Sequence, residues 1–210
     1  MALLQEISEY IQQGDMNEVS KLTSMALQQN FNPQEIIDNG LIVGMSAIGE
    51  RFKRNEVFVP EMLIAARAMN KALEILEPKM VNAKIKKTGT LVIGTVEGDL
   101  HDIGKNLIGI MFKGAGFNVI DLGIDVSAER FLESAVDHKA DFVGISALLT
   151  TTMVNMEKTI KELRANNITT KVLVGGAPLT EKFAHEIGAD GYAPDAASAV
   201  GVAKSLMNSR

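Results

Sequence analysis

Residues 91–104, with the sequence LVIGTVEGDLHDIG, decide how the rest of the chain is interpreted. The segment opens with an apolar run that is typical of a buried strand, and it leads into residues 103–116, where apolar residues recur at helical spacing. A strand that turns sharply into a helix presents its loop at the carboxyl edge of a parallel sheet, where open α/β domains bind ligands. This loop carries His101 and, two positions earlier, Asp99, which pairs a possible metal ligand with a carboxylate able to orient it.

The carboxyl-terminal half of the chain alternates short β-branched runs with helical patterns. Strands are predicted at residues 91–95, 118–121, 142–146, 172–175 and 191–193, and helices at 103–116, 128–138, 153–166, 181–187 and 196–207. Five strands alternating with five helices predict an α/β fold with a doubly wound parallel sheet, for which the order 2-1-3-4-5 is expected.

The amino-terminal half shows helical periodicity alone. Four helices are predicted, at residues 3–13, 16–30, from Asn32-Pro33 to Phe52, and from about Pro60 to Met80, which together suggest a small four-helix bundle. A lysine-rich stretch, residues 78–89, separates the halves as a linker. We therefore expect a helical domain over residues 1–88 and an α/β domain over residues 90–210.

Composition excludes several classes of function. The net charge is −5 without a basic stripe in either half, which argues against a nucleic-acid partner. No apolar run reaches the roughly 20 residues of a membrane span, and the amino terminus lacks a targeting signal. The absence of cysteine excludes disulfides and thiolate metal sites, and a cytoplasmic location is the expectation.

Two further loops are expected at the same edge of the sheet as His101. The third strand runs into Ser146-Ala147-Leu148-Leu149-Thr150-Thr151-Thr152, a turn rich in hydroxyl groups, and the fourth runs into Gly175-Gly176, which offers bare backbone to a flat or bulky ligand. Neither nucleotide fingerprint is present. Five residues stand between Gly98 and Gly104, whereas a P-loop has four between its glycines, and Asn106 follows Lys105 where a P-loop has Ser or Thr. No G-x-G-x-x-G follows the first strand.

Taken together, these motifs resemble the corrinoid (cobalamin-binding) proteins of methyl-transfer systems and are similar to the cobalamin module of methionine synthase. The residues that carry the resemblance in the α/β half are Asp99, His101, Gly104, Ser146, Leu148, Gly175 and Gly176. In the helical half it rests on Gly44-Met45, Ile48-Gly49, Phe52, residues 56–61 (EVFVPE) and Ala65-Ala66 to Met69. The resemblance covers essentially the whole chain and implies a helical cap followed by a Rossmann-like (flavodoxin-like) domain.

The resemblance implies a mode of cofactor binding. Cobalamin would bind with its benzimidazole base displaced from cobalt, and His101 would take the vacated lower axial position while Asp99 accepts its other ring N–H. Thr152 stands where methionine synthase has a Ser that completes this relay. Further cofactor contacts are implied for the loop residues Gly98, Leu100, Asp102, Ile103 and Gly104, for Ser146, Leu148, Thr150, Gly175, Gly176 and Ala196, and for Phe58 over the upper face.

The implied role is that of a non-catalytic methyl carrier, cycling between methylcobalamin, cob(I)alamin and cob(II)alamin. The implied partners are a substrate-specific methyltransferase, a second methyltransferase with tetrahydrofolate or a thiol coenzyme as acceptor, and a reductive activator. Methylamines, methanol, methoxylated aromatics and betaines all remain open as donors. The alternatives are a cobalamin subunit of a mutase, a cobalamin-dependent sensor, or an interaction module without a cofactor.

Each site residue also has a plainer interpretation. Asp99 and the hydroxyl residues up to Thr152 are candidate helix caps, Gly175-Gly176 are candidate turn glycines, and spacing alone places Phe58, Met62 and Met69 in the core of the bundle. His138 and His185 are expected on helix surfaces.

Overall fold

The computed structural model describes residues 2–80 and 88–208. They form two compact units, one comprising residues 1–88 with 113–116 and the other residues 89–112 with 117–210. The assignment of separate domains to residues 1–88 and 90–210 stays a prediction, and most of the predicted linker, residues 81–87, lies outside the described residues.

The first unit is helical, as predicted. Its elements are α1 (Ala2–Gln13), α2 (Met16–Gln28), α3 (Pro33–Ile36), a π-helical turn (Ile37–Leu41), α4 (Ile42–Lys53) and α5 (Val59–Met80). The side chain of Asp15 caps α2 by accepting hydrogen bonds from two backbone N–H groups, and Asn32 caps α3 with Pro33 in the first turn. The π turn divides the predicted third helix. Helix α5 continues through Pro78, which has no N–H and so removes one backbone hydrogen bond from the last turn.

The core of the helical unit contains Ile7, Ile11, Leu41, Ile48 and Met62, all almost completely buried. Gly44 lets α4 approach α1 closely, since a Cβ at this position would lie 2.7 Å from the backbone oxygen of Ser8. The prediction that Met62 and Met69 belong to the core is confirmed, whereas it is wrong for Phe58, which is 63% exposed just before α5.

The second unit contains a five-stranded, entirely parallel sheet with the predicted order β2-β1-β3-β4-β5. The strands are β1 (Thr90–Thr95), β2 (Asn118–Asp121), β3 (Phe142–Ser146), β4 (Lys171–Gly175) and β5 (Gly191–Ala193). The helices between and after them are α6 (Ile103–Gly114), α7 (Ala128–Asp137), α8 (Met153–Ala165), α9 (Glu181–Glu186) and α10 (Ala196–Asn208). The buried residues of β1, β3 and β4 form near-continuous apolar runs, as expected for strands covered on both faces.

The register of the sheet aligns the ends of four strands. Thr95 pairs with Ser146, Ser146 with Gly175, and Gly175 with Ala193. The loops that follow β1, β3 and β4 therefore leave the sheet side by side at its carboxyl edge, which is where the sequence predicted a shared site.

Candidate functional site

The loop between β1 and α6 places a carboxylate against an imidazole. Asp99 is fully buried, whereas the side chain of His101 is 50% exposed. Asp99 Oδ1 lies 2.7 Å from His101 Nδ1 and accepts a second hydrogen bond, of 3.1 Å, from the His101 backbone N–H. The ring is therefore held at Nδ1, and no described residue hydrogen-bonds Nε2.

The second oxygen of Asp99 binds the loop that follows β3. Asp99 Oδ2 accepts hydrogen bonds from the backbone N–H groups of Leu148 (2.8 Å) and Leu149 (3.1 Å) and from Thr152 Oγ1 (2.8 Å). Thr152 Oγ1 also lies 2.9 Å from the backbone oxygen of Leu149, so its one hydrogen is shared between two acceptors. One buried carboxylate thus joins the His101 loop to the hydroxyl-rich loop.

These contacts determine the protonation state of Asp99. Burial raises its pKa, but hydrogen bonds from the Leu148 N–H, from the side chain and backbone of His101 and from Thr152 outweigh burial and hold the pKa well below its usual value. An ionised carboxylate only accepts hydrogen bonds, so the proton of a neutral His101 ring must be on Nδ1. The lone pair of Nε2 is then available to a metal.

The loop between β2 and α7 supports the His101 loop from the other side. Asp125 Oδ1 accepts a 2.7 Å hydrogen bond from the Gly98 N–H, and the Asp125 N–H donates to the backbone oxygen of Asp99. Asp125 adopts a positive φ of 53°, a conformation that Asp and Asn tolerate better than most residues. This residue was not predicted from the sequence, because nothing in its neighbourhood marks a contact to a loop 27 residues away.

The glycines of the site differ in what surrounds them. At Gly176, φ is +141° and a Cβ would lie 1.8 Å from the backbone oxygen of Ala147, so a side chain is excluded by the protein itself. At Gly104, in the first turn of α6, a Cβ would meet no atom within 4 Å. The protein gives no steric reason for a glycine at position 104, which leaves open space beside His101.

A narrow apolar crevice lies in the α/β unit next to the aligned strand ends. Its walls come from the sheet strands β1, β3, β4 and β5 on one side and from α6 and α10 on the other. Ser146 provides the sole side-chain hydroxyl among the described lining residues, and Gly175 contributes bare backbone.

Exposed apolar side chains surround the opening of the site. Leu100 and Ile103 flank His101 in sequence and are 66% and 75% exposed, and Leu148 and Leu149 in the neighbouring loop are exposed as well. A cluster of exposed large apolar residues is a feature of ligand and partner surfaces.

The remaining predicted site residues take the following positions. Gly98, Asp102 and Thr150 are exposed in the loops, Ser146 is half-buried, and Ala196 is buried at the start of α10. Phe58 belongs to the helical unit. His138 and His185 are exposed, as predicted.

The cap interpretation of Asp99 and Thr152 does not match the partners of their side chains. The side chain of Asp99 binds His101, Leu148, Leu149 and Thr152, and the side chain of Thr152 makes no cap hydrogen bond to α8. Sequence reasoning missed the N–H group of Leu149, because a backbone donor has no signature in a sequence.

Comparison with known protein families identifies the class of protein to which this site belongs. Residues 89–201 match the family model of a B12 binding domain, and residues 3–77 match a second model with the same description. The α/β fold with a histidine at the carboxyl edge is thus that of a cobalamin-binding protein, and cobalamin is its cofactor.

Relatives and solved structures match nearly the whole chain. A corrinoid protein of Desulfitobacterium hafniense is 42% identical over 99% of this chain and 98% of its own length, and dimethylamine corrinoid protein 1 of Methanosarcina mazei is 43% identical over 98% and 96%. The methanol:cobalamin methyltransferase complex of Methanosarcina barkeri contains a chain that matches with a TM-score of 0.91 at 30% identity, covering 100% of this chain and 81% of that one. The chain therefore belongs to the corrinoid proteins of methyltransferase systems.

No described helix has the length and hydropathy to cross a membrane.

Proposed function

We propose that the protein binds cobalamin with the benzimidazole base displaced from cobalt and with His101 Nε2 as the lower axial ligand. The observation that carries this proposal is the 2.7 Å contact between His101 Nδ1 and the buried, ionised Asp99. It fixes the tautomer whose Nε2 lone pair is free, and it leaves half of the imidazole accessible.

The residues around His101 fit a large macrocycle with an apolar rim. Leu100, Ile103 and Leu148 are exposed beside the imidazole, and the open space at Gly104 accepts a flat group close to the backbone. When bound, cobalamin supplies a cobalt atom that receives a methyl group from a donor and passes it to an acceptor.

Asp99 and Thr152 act on the imidazole and not on the methyl group. Asp99 holds the proton at Nδ1 and increases the electron density at Nε2, while Thr152 and the Leu148 N–H stabilise the charge of Asp99. The strength of the His101 ligand is therefore set by Asp99 and by the donors that stabilise its charge.

The carrier function is supported by the family to which the chain belongs. We propose that the protein presents the methyl group to a substrate-specific methyltransferase and to a second methyltransferase that uses tetrahydrofolate or a thiol coenzyme, and that a reductive activator restores oxidised cobalt. Relatives named for dimethylamine and trimethylamine make methylated amines the first donors to test.

Phe58 is proposed to shield the upper face of the cofactor. Its side chain is 63% exposed just before α5, so the ring is accessible to a ligand. Exclusion of water from the methyl group is the role that this position supports.

The test is the visible spectrum of apoprotein loaded with cob(III)alamin. We expect tight binding and a spectrum that changes in His101→Ala, because the substitution removes the axial nitrogen. His185→Ala is the matched control, since His185 is exposed on α9 and is outside the site.

Identical spectra for the wild type and His101→Ala would remove His101 as the axial ligand. If His185→Ala changes the spectrum in the same way as His101→Ala, the spectrum responds to the loss of any histidine. That result would equally contradict the proposal.

A further inference from the structure

Thr95 connects the sheet to the main chain of His101. It is the last residue of β1, it is completely buried, and its Oγ1 donates a 2.7 Å hydrogen bond to the backbone oxygen of His101. A hydroxyl group has one hydrogen, and Thr95 commits it to this acceptor. The bond is separate from the contacts of Asp99, which hold the imidazole ring and the N–H side of the same residue.

The sheet and the β2–α7 loop hold Thr95 in place. Its N–H donates to the backbone oxygen of Gly123 and its own backbone oxygen accepts from the Val126 N–H, both at 3.0 Å. In the sheet it pairs with Ser146 of β3. Its β-branched side chain has few allowed rotamers. The hydroxyl group therefore has a defined position from which it can fix another residue.

The contacts with Asp99 leave one rotation of His101 unopposed. Both hydrogen bonds between the two residues end on the same oxygen, because Asp99 Oδ1 accepts from His101 Nδ1 and from the His101 N–H. The histidine can turn about that oxygen while keeping both bonds. Its side chain is 50% exposed, so packing opposes this rotation only weakly. The bond from Thr95 holds the carbonyl side of the main chain and prevents the rotation.

We propose that Thr95 is a positioning residue for the axial ligand, whose hydroxyl group fixes the main chain of His101 and so directs Nε2 at cobalt. The inference rests on the proposed function, in which His101 binds cobalt. Without the hydroxyl group, the main chain at His101 has to be ordered when the cobalt–nitrogen bond forms, which weakens that bond. The loss of one such hydrogen bond corresponds to about a three- to tenfold decrease in the equilibrium constant for coordination.

The midpoint potential of the Co(II)/Co(I) couple of bound cobalamin reports the strength of the histidine ligand. Cob(II)alamin keeps a lower axial ligand and cob(I)alamin has none, so a stronger ligand lowers the potential. A tenfold change in the equilibrium constant corresponds to about 59 mV for a one-electron couple. We therefore expect Thr95→Val to raise the potential by about 30 to 60 mV.

The experiment is a redox titration of the full chain loaded with cobalamin, followed by visible absorbance. Thr95→Ser keeps the hydroxyl group and should have the wild-type potential. Thr95→Ala removes the hydroxyl group without placing a methyl group against the His101 oxygen, and it should raise the potential as Thr95→Val does.

Thr170→Val is the matched control. Thr170 is also buried, it directly precedes β4 at the opposite edge of the sheet, and its Oγ1 donates a 2.8 Å hydrogen bond to the backbone oxygen of Ala140. The control removes the same kind of bond from the same unit, so it should lower the stability of the protein and leave the potential unchanged.

A wild-type potential in Thr95→Ala, or an equal shift in Thr170→Val, would overturn the positioning role. A shift in Thr95→Ser as large as that in Thr95→Val would overturn it too, because the hydroxyl group would then not be the cause. The proposed function fails separately, when no corrinoid binds or when the spectrum of bound cobalamin is the same in the wild type and in His101→Ala.

Discussion

Asp99 is the residue on which the site depends most. Its two oxygens accept hydrogen bonds from His101, Leu148, Leu149 and Thr152. The buried carboxylate stays ionised because these donors stabilise its charge by more than burial destabilises it. The same bonds connect two loops, so Asp99 contributes both to the orientation of the imidazole and to the stability of the sheet edge.

Acidification tests this contribution. The pKa of Asp99 is lowered in the folded protein relative to its ordinary value of 3.8, so the ionised group stabilises the fold at pH values above about 4, and that stabilisation is lost as the pH falls further. The difference in unfolding free energy between wild type and Asp99→Asn should be constant from about pH 7 to 5 and shrink below about pH 4. Urea unfolding of the apoprotein measures it, and a difference that grows on acidification contradicts the account.

Thr152 provides a test of the hydroxyl group alone. Thr152→Val keeps the shape and removes the donor to Asp99, which we expect to lower the unfolding free energy by about 1 kcal/mol and to weaken cobalamin binding severalfold. Thr152→Ser retains the hydroxyl and should bind cobalamin like the wild type. Equal affinities of the Val and Ser variants would show that the hydroxyl has no part in the relay.

At the scale of the elements, the site results from loops that brace one another. The β2–α7 loop holds the His101 loop through Asp125, and Gly176 brings the loop after β4 into contact with the backbone of Ala147. Lys105, only 2% exposed in α6, binds both carboxylate oxygens of Asp121 at the end of β2 and so ties the helix to the edge strand.

Asp125 is expected to be a positioning residue. Asp125→Asn keeps an acceptor for the Gly98 N–H and tolerates a positive φ, whereas Asp125→Ala loses both features. We expect the Asn variant to show the wild-type spectrum of bound cobalamin and the Ala variant to show a larger fraction without the histidine ligand. If both variants show the wild-type spectrum of bound cobalamin, Asp125 does not influence the position of His101.

Two glycines should respond in opposite ways to the same substitution. Gly176→Ala places a Cβ against the Ala147 oxygen and should cost at least about 2 kcal/mol of stability. Gly104→Ala meets empty space at the start of a helix and should leave stability unchanged or raise it by about 0.5 kcal/mol, while the new methyl group weakens cobalamin binding. Thermal unfolding measures the change in stability, and a cobalamin titration measures the change in affinity. An affinity for cobalamin that is not reduced in Gly104→Ala would show that this glycine is not part of the site.

Much of this architecture could be predicted from the sequence. The predicted strand bounds agree with the structure to within one residue, because buried parallel strands such as β1 and β4 are near-continuous apolar runs bounded by glycine or polar residues. The pair of Asp99 and His101 could be predicted since both lie in one short loop. The π turn, the exposure of Phe58 and the role of Asp125 could not, because they depend on contacts or surroundings that local periodicity does not encode.

At the scale of the whole molecule, the chain combines a helical unit with an α/β unit that holds the candidate site. The α/β unit contains His101, which is the proposed axial ligand, together with its buried partner Asp99 and the apolar crevice. The proposed shield, Phe58, belongs to the helical unit.

The shield can be tested without disturbing the fold. Phe58→Ala removes a side chain that is 63% exposed, so we expect little change in stability and faster photolytic loss of the methyl group from bound methylcobalamin. Val154→Ala is the matched control, as Val154 is equally exposed on α8. Equal photolysis rates in the two variants would contradict a shielding role.

The most direct measurement of the central claim is the electron paramagnetic resonance spectrum of bound cob(II)alamin in protein made with ¹⁵N-labelled histidine. Coordination by His101 predicts that the nitrogen splitting changes from a triplet in unlabelled protein to a doublet in labelled protein, and that His101→Ala loses the doublet. A triplet that persists in labelled protein would show that the benzimidazole base stays on cobalt and would contradict the account.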